Sequence, residues 1–130
     1  MAFCRHLTAS RLRHILSCLF LTWTIFMPAM LGAHAVLIES QPPHGAALRH
    51  PPATITLRFN AALERVITQV YLMDRKQHEM PLELLDDPHA NQVIARLPKL
   101  EPGVYTIRYK VLARDGHVTE GTIRFTVLRL

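Results

Sequence analysis

From residue 34 onward, apolar and polar positions alternate in short runs set between turn residues, and no helical period is sustained. In Thr54-Ile55-Thr56-Leu57-Arg58-Phe59 the apolar residues Ile55, Leu57 and Phe59 share one face. In Thr122-Ile123-Arg124-Phe125-Thr126-Val127 the inward set is Ile123, Phe125 and Val127. Side chains alternate across a strand, so each run buries one face and wets the other. The same reading predicts strands over Ala35–Glu39, Thr54–Phe59, Ile67–Met73, Met80–Leu85, Gln92–Leu97, Val104–Leu112 and Gly121–Leu128. Between them stand segments such as Gln41-Pro42-Pro43-His44-Gly45, His50-Pro51-Pro52 and Asp86-Asp87-Pro88-His89, rich in residues that preset or relax backbone dihedrals.

About seven short strands at this spacing predict an all-β fold, an immunoglobulin-like or cupredoxin-like Greek-key β-sandwich. Leu100-Glu101-Pro102-Gly103-Val104-Tyr105 has the form of a tyrosine corner, which gives Tyr105 a structural rather than a ligand-binding role.

The first third reads differently. Arg5, Arg11 and Arg13 lie in a stretch without acids, and Ile15 to Ala33 is apolar except for Ser17, Thr22 and Thr24. That order is the basic and hydrophobic region of a secretion signal. A membrane anchor is the competing reading, since ~18 apolar residues just span a bilayer. Pro28 followed by Gly32 and Ala33 favours cleavage, leaving residues 34–130 as one exported domain, not embedded in the membrane. Cleavage after Ala33 makes His34 the first residue. Cleavage after Ala35 matches the small-x-small preference of the peptidase better and removes His34.

Loss of the leader changes the electrostatics and the chemistry. The whole chain carries a formal charge of +5, but three of its 15 basic residues and none of its 10 acidic ones lie in the leader, so the mature domain is at +2. Scattered basic side chains at that net charge give no nucleic-acid footprint. Both cysteines, Cys4 and Cys18, also go, which excludes a disulfide, a thiolate metal site and a cysteine nucleophile.

Six histidines remain as candidate ligands: His34, His44, His50, His78, His89 and His117. His44, His50 and His89 sit beside Pro or Gly in turns and read as surface residues. Arg114-Asp115-Gly116-His117 closes the longest strand, and in extended backbone the two-residue spacing points Asp115 and His117 to one side. If His34 is the N-terminus, its α-amine and imidazole join His117 and Asp115 in a set of three nitrogens and one oxygen. Such a set in tetragonal geometry suits one Cu(II).

These residues resemble the CopC/PcoC-type copper-binding, copper-resistance proteins of the bacterial periplasm. The resemblance runs through His34-Ala35-Val36-Leu37-Ile38-Glu39-Ser40, Pro43-His44-Gly45, the strand from Pro52 to Phe59, and Pro102-Gly103-Val104-Tyr105-Thr106-Ile107-Arg108-Tyr109. Asp115-Gly116-His117 and the strand Gly121–Val127 complete it. It implies a Greek-key β-barrel or sandwich binding one Cu(II) through the amine and imidazole of His34 with Asp115 and His117. The implied role is copper carriage or buffering, without catalysis, beside a membrane copper transporter or another periplasmic copper protein.

Three departures stand out. Just after the Phe of the second strand, where some members have an acidic residue that serves as an additional ligand, this chain reads Phe59-Asn60-Ala61; Val118 stands where Pro often follows Asp-Gly-His; and the methionine-rich Cu(I) stretch of some members is reduced to Met73, His78 and Met80. Two other functions stay open from the residues: a metal-independent sandwich for protein contacts, and an oxidative copper enzyme with a histidine brace. The only tryptophan, Trp23, lies in the leader, which leaves such an enzyme without an indole for its substrate face.

Overall fold

The computed structural model describes residues 34–129, so the leader assigned to 1–33 lies outside the described residues. The chain divides after Leu31, and the described residues belong to the unit Gly32–Leu130. Two β-sheets pack face to face around one apolar core, as the alternation predicts.

In chain order the strands are β1 (Leu37–Gln41), β2 (Ala47–Leu48), β3 (Thr54–Phe59), β4 (Gln69–Met73), β5 (Glu79–Pro81), β6 (Leu84–Leu85), β7 (Gln92–Arg96), β8 (Gly103–Leu112) and β9 (Val118–Val127). One sheet has the order β1-β3-β7-β6 and the other β2-β9-β8-β4-β5. A single 3-10 turn, Arg65–Ile67, precedes β4. Among the described residues no helix is long and apolar enough to cross a membrane.

The inward faces are the predicted ones. Ile55, Leu57 and Phe59 from β3 and Ile123 and Phe125 from β9 are almost wholly shielded, and Val70, Val93, Ile107 and Val111 join them. Burying one such side chain contributes about 1.5–3 kcal/mol, so these alternating positions select the register. Phe59 meets Tyr109 edge to face at 5.5 Å, and the Tyr105 ring stacks on Phe125 at 5.9 Å. The Tyr105 hydroxyl donates to the Glu101 carbonyl at 2.8 Å, so the tyrosine corner is present.

Three differences from the sequence expectation have local causes. Met80–Leu85 is not one strand: β5 and β6 belong to opposite sheets, and the chain crosses at Leu82 and Glu83. Pro81 cannot donate to a further ladder bond, which confines β5 to an edge and ends it there. β2 is too short to show alternation, and its parallel pairing of Ala47 with Thr126 and Leu48 with Val127 comes from packing along β9. β9 begins at Val118, because the β8–β9 ladder continues to the pair Leu112 and Val118.

Gly121 faces Tyr109 across that ladder. A Cβ at Gly121 would collide with the Tyr109 hydroxyl and ring, so hydrogen is the only substituent that lets the phenol lie over this position. Gly121→Ala is expected to destabilise the domain by about 1–3 kcal/mol through overpacking, read as a lower denaturation midpoint. A midpoint equal to the wild type would show that Tyr109 moves aside freely.

Candidate metal centre

One end of the sandwich collects the chain before β1, the residues after β3 and the β8–β9 loop. Ala35 has no exposed surface and is part of the core, which fixes the start of the domain to the fold. Val36 is held next: its N–H donates to Asn60 Oδ1 at 2.7 Å, and its carbonyl accepts the Asn60 N–H at 3.0 Å. Just beyond, β1 places Leu37 opposite Phe59 and Glu39 opposite Arg58, leaving Ile38 as a bulge. Bulges bend and twist a strand, and this one sets the direction in which the chain enters the sheet.

From the other side, Leu63 bridges Ala113, and the Arg114 N–H donates to the Ala62 carbonyl at 3.0 Å. The loop after β8 is therefore fastened to the segment that carries Asn60.

Asp115 and His117 do come together, but not by the extended backbone expected. They lie in a tight loop in which the Ala113 N–H donates to the His117 carbonyl at 2.9 Å and Gly116 has φ +90°. A left-handed φ is costly for any side chain with a Cβ, so Gly116 is what permits this turn. The Asp115 carboxylate accepts the His117 N–H at 3.0 Å and stands 3.2 Å from His117 Nδ1. That N–H, with smaller help from the imidazole and from His34, holds the Asp115 carboxyl below the usual carboxylate range.

His34 reaches the same place from the chain before β1. Its ring lies 4.5 Å from that of His117, centroid to centroid, with the planes tilted by 44°. The three predicted site residues thus meet in pairs: imidazole to imidazole, imidazole to carboxylate. Among the described residues no three His, Cys, Asp or Glu side chains are already gathered as a metal cage. The Asp115 carboxylate is engaged with the backbone N–H and ring of His117 in its own loop. Both histidine rings are solvent-facing, with the His117 side chain half exposed.

The CopC domain model matches residues 37–128. The chain belongs to the CopC family. His34 lies just outside the matched stretch. Among relatives, Protein YobA of Escherichia coli K12 is 28% identical over 123 residues, covering 92% of this chain and 97% of that protein. The Copper transport protein CutJ of Bacillus subtilis is 23% identical over 112 residues, which is 84% of this chain but 21% of that protein. The crystal structure of CopC from Methylosinus trichosporium OB3b superposes with a TM-score of 0.69 at 24% identity, over 73% of this chain and 94% of that one. PcoC, a methionine-rich copper resistance protein from Escherichia coli, superposes at 0.61 with 24% identity, over 73% and 99%. These structural likenesses establish the sandwich.

Elsewhere in this CopC domain the remaining candidates separate. Leu72 stands opposite Met80 and Met73 opposite Glu79, so the two methionines project to opposite faces of the sheet. They form no thioether pair, and His78 turns to Asp74 at 3.3 Å. His44 and His50 are exposed.

His89 is more organised than a turn residue need be, and nothing in its sequence context signals this. The Asp87 carboxylate, with its side chain only 3% exposed, accepts the His89 N–H at 2.9 Å, the Gln92 amide at 2.6 Å and the His89 ring at 2.7 Å. A carboxylate can only accept, so Nδ1 carries the proton. These donors, the His89 backbone N–H foremost, pull the Asp87 carboxyl down to about 2. The lowered value means protonation favours the unfolded chain. The contribution is complete above the unfolded carboxylate range near 4 and is lost as the pH falls toward about 2. Replacing Asp87 by Asn is expected to flatten the acid limb of the stability curve between those values, measured by denaturant titration across pH. An unchanged acid limb would contradict the assignment.

Proposed function

We propose that this protein is a periplasmic Cu(II) carrier that binds one ion through the α-amine and imidazole of His34, His117 and Asp115 after its leader is removed. The observation that carries this reading is the meeting of His34 and His117 ring against ring, with the Asp115 carboxylate beside them, at one end of the sandwich. The names of relatives point the same way, CutJ being a copper transport protein and PcoC a copper resistance protein.

The donor chemistry favours copper over zinc. Imidazole and amine nitrogens with one carboxylate oxygen suit a tetragonal d9 ion, and Cu(II) leads the divalent affinity order. Four-coordinate zinc prefers a tetrahedron. The site sits on an exposed loop, so an acceptor protein can approach the ion and exchange ligands with it. This favours carriage between a donor and a membrane transporter over catalysis on a bound substrate.

The fourth donor depends on where the leader is cut. In the uncut chain the His34 nitrogen is a peptide nitrogen, whose lone pair is delocalised into the carbonyl. Cleavage after Ala33 converts it to an amine that can close a chelate ring with its own imidazole. Cleavage after Ala35 would remove His34 and also a side chain that the core encloses completely. The fold therefore supports His34 as the first mature residue, and residues 34–130 as the working domain.

Competition titration of the processed protein is expected to give one Cu(II) per chain, with His34→Ala and His117→Ala each weakening binding by orders of magnitude. Unchanged affinity in both variants would contradict the proposal. Affinity should also fall steadily from pH 7 to pH 4, because protons compete with the metal for the amine and imidazole nitrogens. A flat profile over that range would exclude amine and histidine ligation.

A further inference from the structure

Asn60 takes no place in the donor set described above, yet its contacts all serve the segment that carries His34. Its side-chain oxygen accepts the Val36 N–H at 2.7 Å while its own N–H donates to the Val36 carbonyl at 3.0 Å. Both polar groups of the Val36 backbone are thus held by one residue. Asn60 is itself fixed from behind. The Phe59 carbonyl, which belongs to the peptide joining Phe59 to Asn60, accepts Asn91 Nδ2 at 3.0 Å, and the Phe59 N–H donates to the Asn91 carbonyl at 2.9 Å.

We infer that Asn60 is a positioning residue for copper binding, a side-chain clamp that fixes the N-terminal arm at Val36 so that His34 is delivered against His117. The inference rests on the reading of His34 as a copper ligand. With Ala35 enclosed by the core and Val36 clamped, the arm is held at both residues that follow His34. A ligand held in its bound position gives up less conformational entropy when the metal arrives. Without the clamp, the exposed Val36 can peel away from β3, and His34 must be ordered at the expense of affinity.

The role depends on an oxygen acceptor at the γ position, because Val36 offers an N–H. Aspartate supplies that acceptor and alanine does not. The position is exposed, so neither change removes core packing.

The test uses protein exported and processed from the full chain, with Cu(II) itself as the probe and hydrogen exchange at the Val36 amide as an independent readout. Asn60→Ala is expected to speed exchange at Val36 and to weaken Cu(II) binding about tenfold with little change in Tm, while Asn60→Asp keeps Val36 protected and binds at least as tightly as the wild type. A role in fold stability alone would lower Tm and leave the affinity of the folded variant unchanged, and that result overturns the inference. So does a Val36 amide that exchanges at the same rate in Asn60→Ala and the wild type. Failure of the copper site itself is distinguished by His34→Ala: if that variant binds as the wild type does, the ligand assignment falls, while Val36 exchange in Asn60→Ala still shows whether the clamp exists.

Discussion

Ala35 has no exposed surface, and its burial ties the beginning of the domain to a core built by residues far along the chain. Without that anchor the residues before β1 would form a free tail, and His34 would have no defined relation to the β8–β9 loop. With it, the arm enters the sandwich at a fixed point, Asn60 fastens the next residue, and the bulge at Ile38 sets the direction of entry into the sheet. This constraint brings the His34 ring to 4.5 Å from that of His117.

Binding chemistry is thereby placed on a rigid frame without being built into the core. The ladder between β8 and β9 runs unbroken from Gly103 and Val127 to Leu112 and Val118 and ends at the loop carrying Asp115 and His117. Long paired strands fix the loop's base, and Gly116 gives the tip its sharp turn. His34, Asp115 and His117 stay exposed, as the proposed carriage of an ion requires.

Much of this was legible from residue order, for identifiable reasons. β3 and β9 each bury one face, so Ile55, Leu57, Phe59, Ile123, Phe125 and Val127 announce both strands and their inward sides. The tyrosine corner was legible because Tyr105 stands at a recognisable place after Pro102-Gly103. The break between β5 and β6 was hidden because a run of apolar residues has no period that reveals a change of sheet. In the site, imidazole and carboxylate types pointed to His34, Asp115 and His117, but the spacing argument assumed extended backbone where a glycine-dependent loop does the work. In sequence, Asn60 stood only in the stretch Phe59-Asn60-Ala61 that lacks an acid. Its hydrogen bonds to Val36 depend on two strands meeting, and no local pattern encodes that. Asp87 and His89 were masked likewise, since a Pro-containing turn gives no sign of a buried carboxylate.

The central claim is that the nitrogen freed at His34 and the two imidazoles bind the same copper ion. Electron paramagnetic resonance of the processed protein loaded with one equivalent of Cu(II) tests it most directly. The account predicts superhyperfine coupling to three nitrogens, reduced when the N-terminus is acetylated or when His117 is replaced by Ala. A spectrum indifferent to both changes would contradict it.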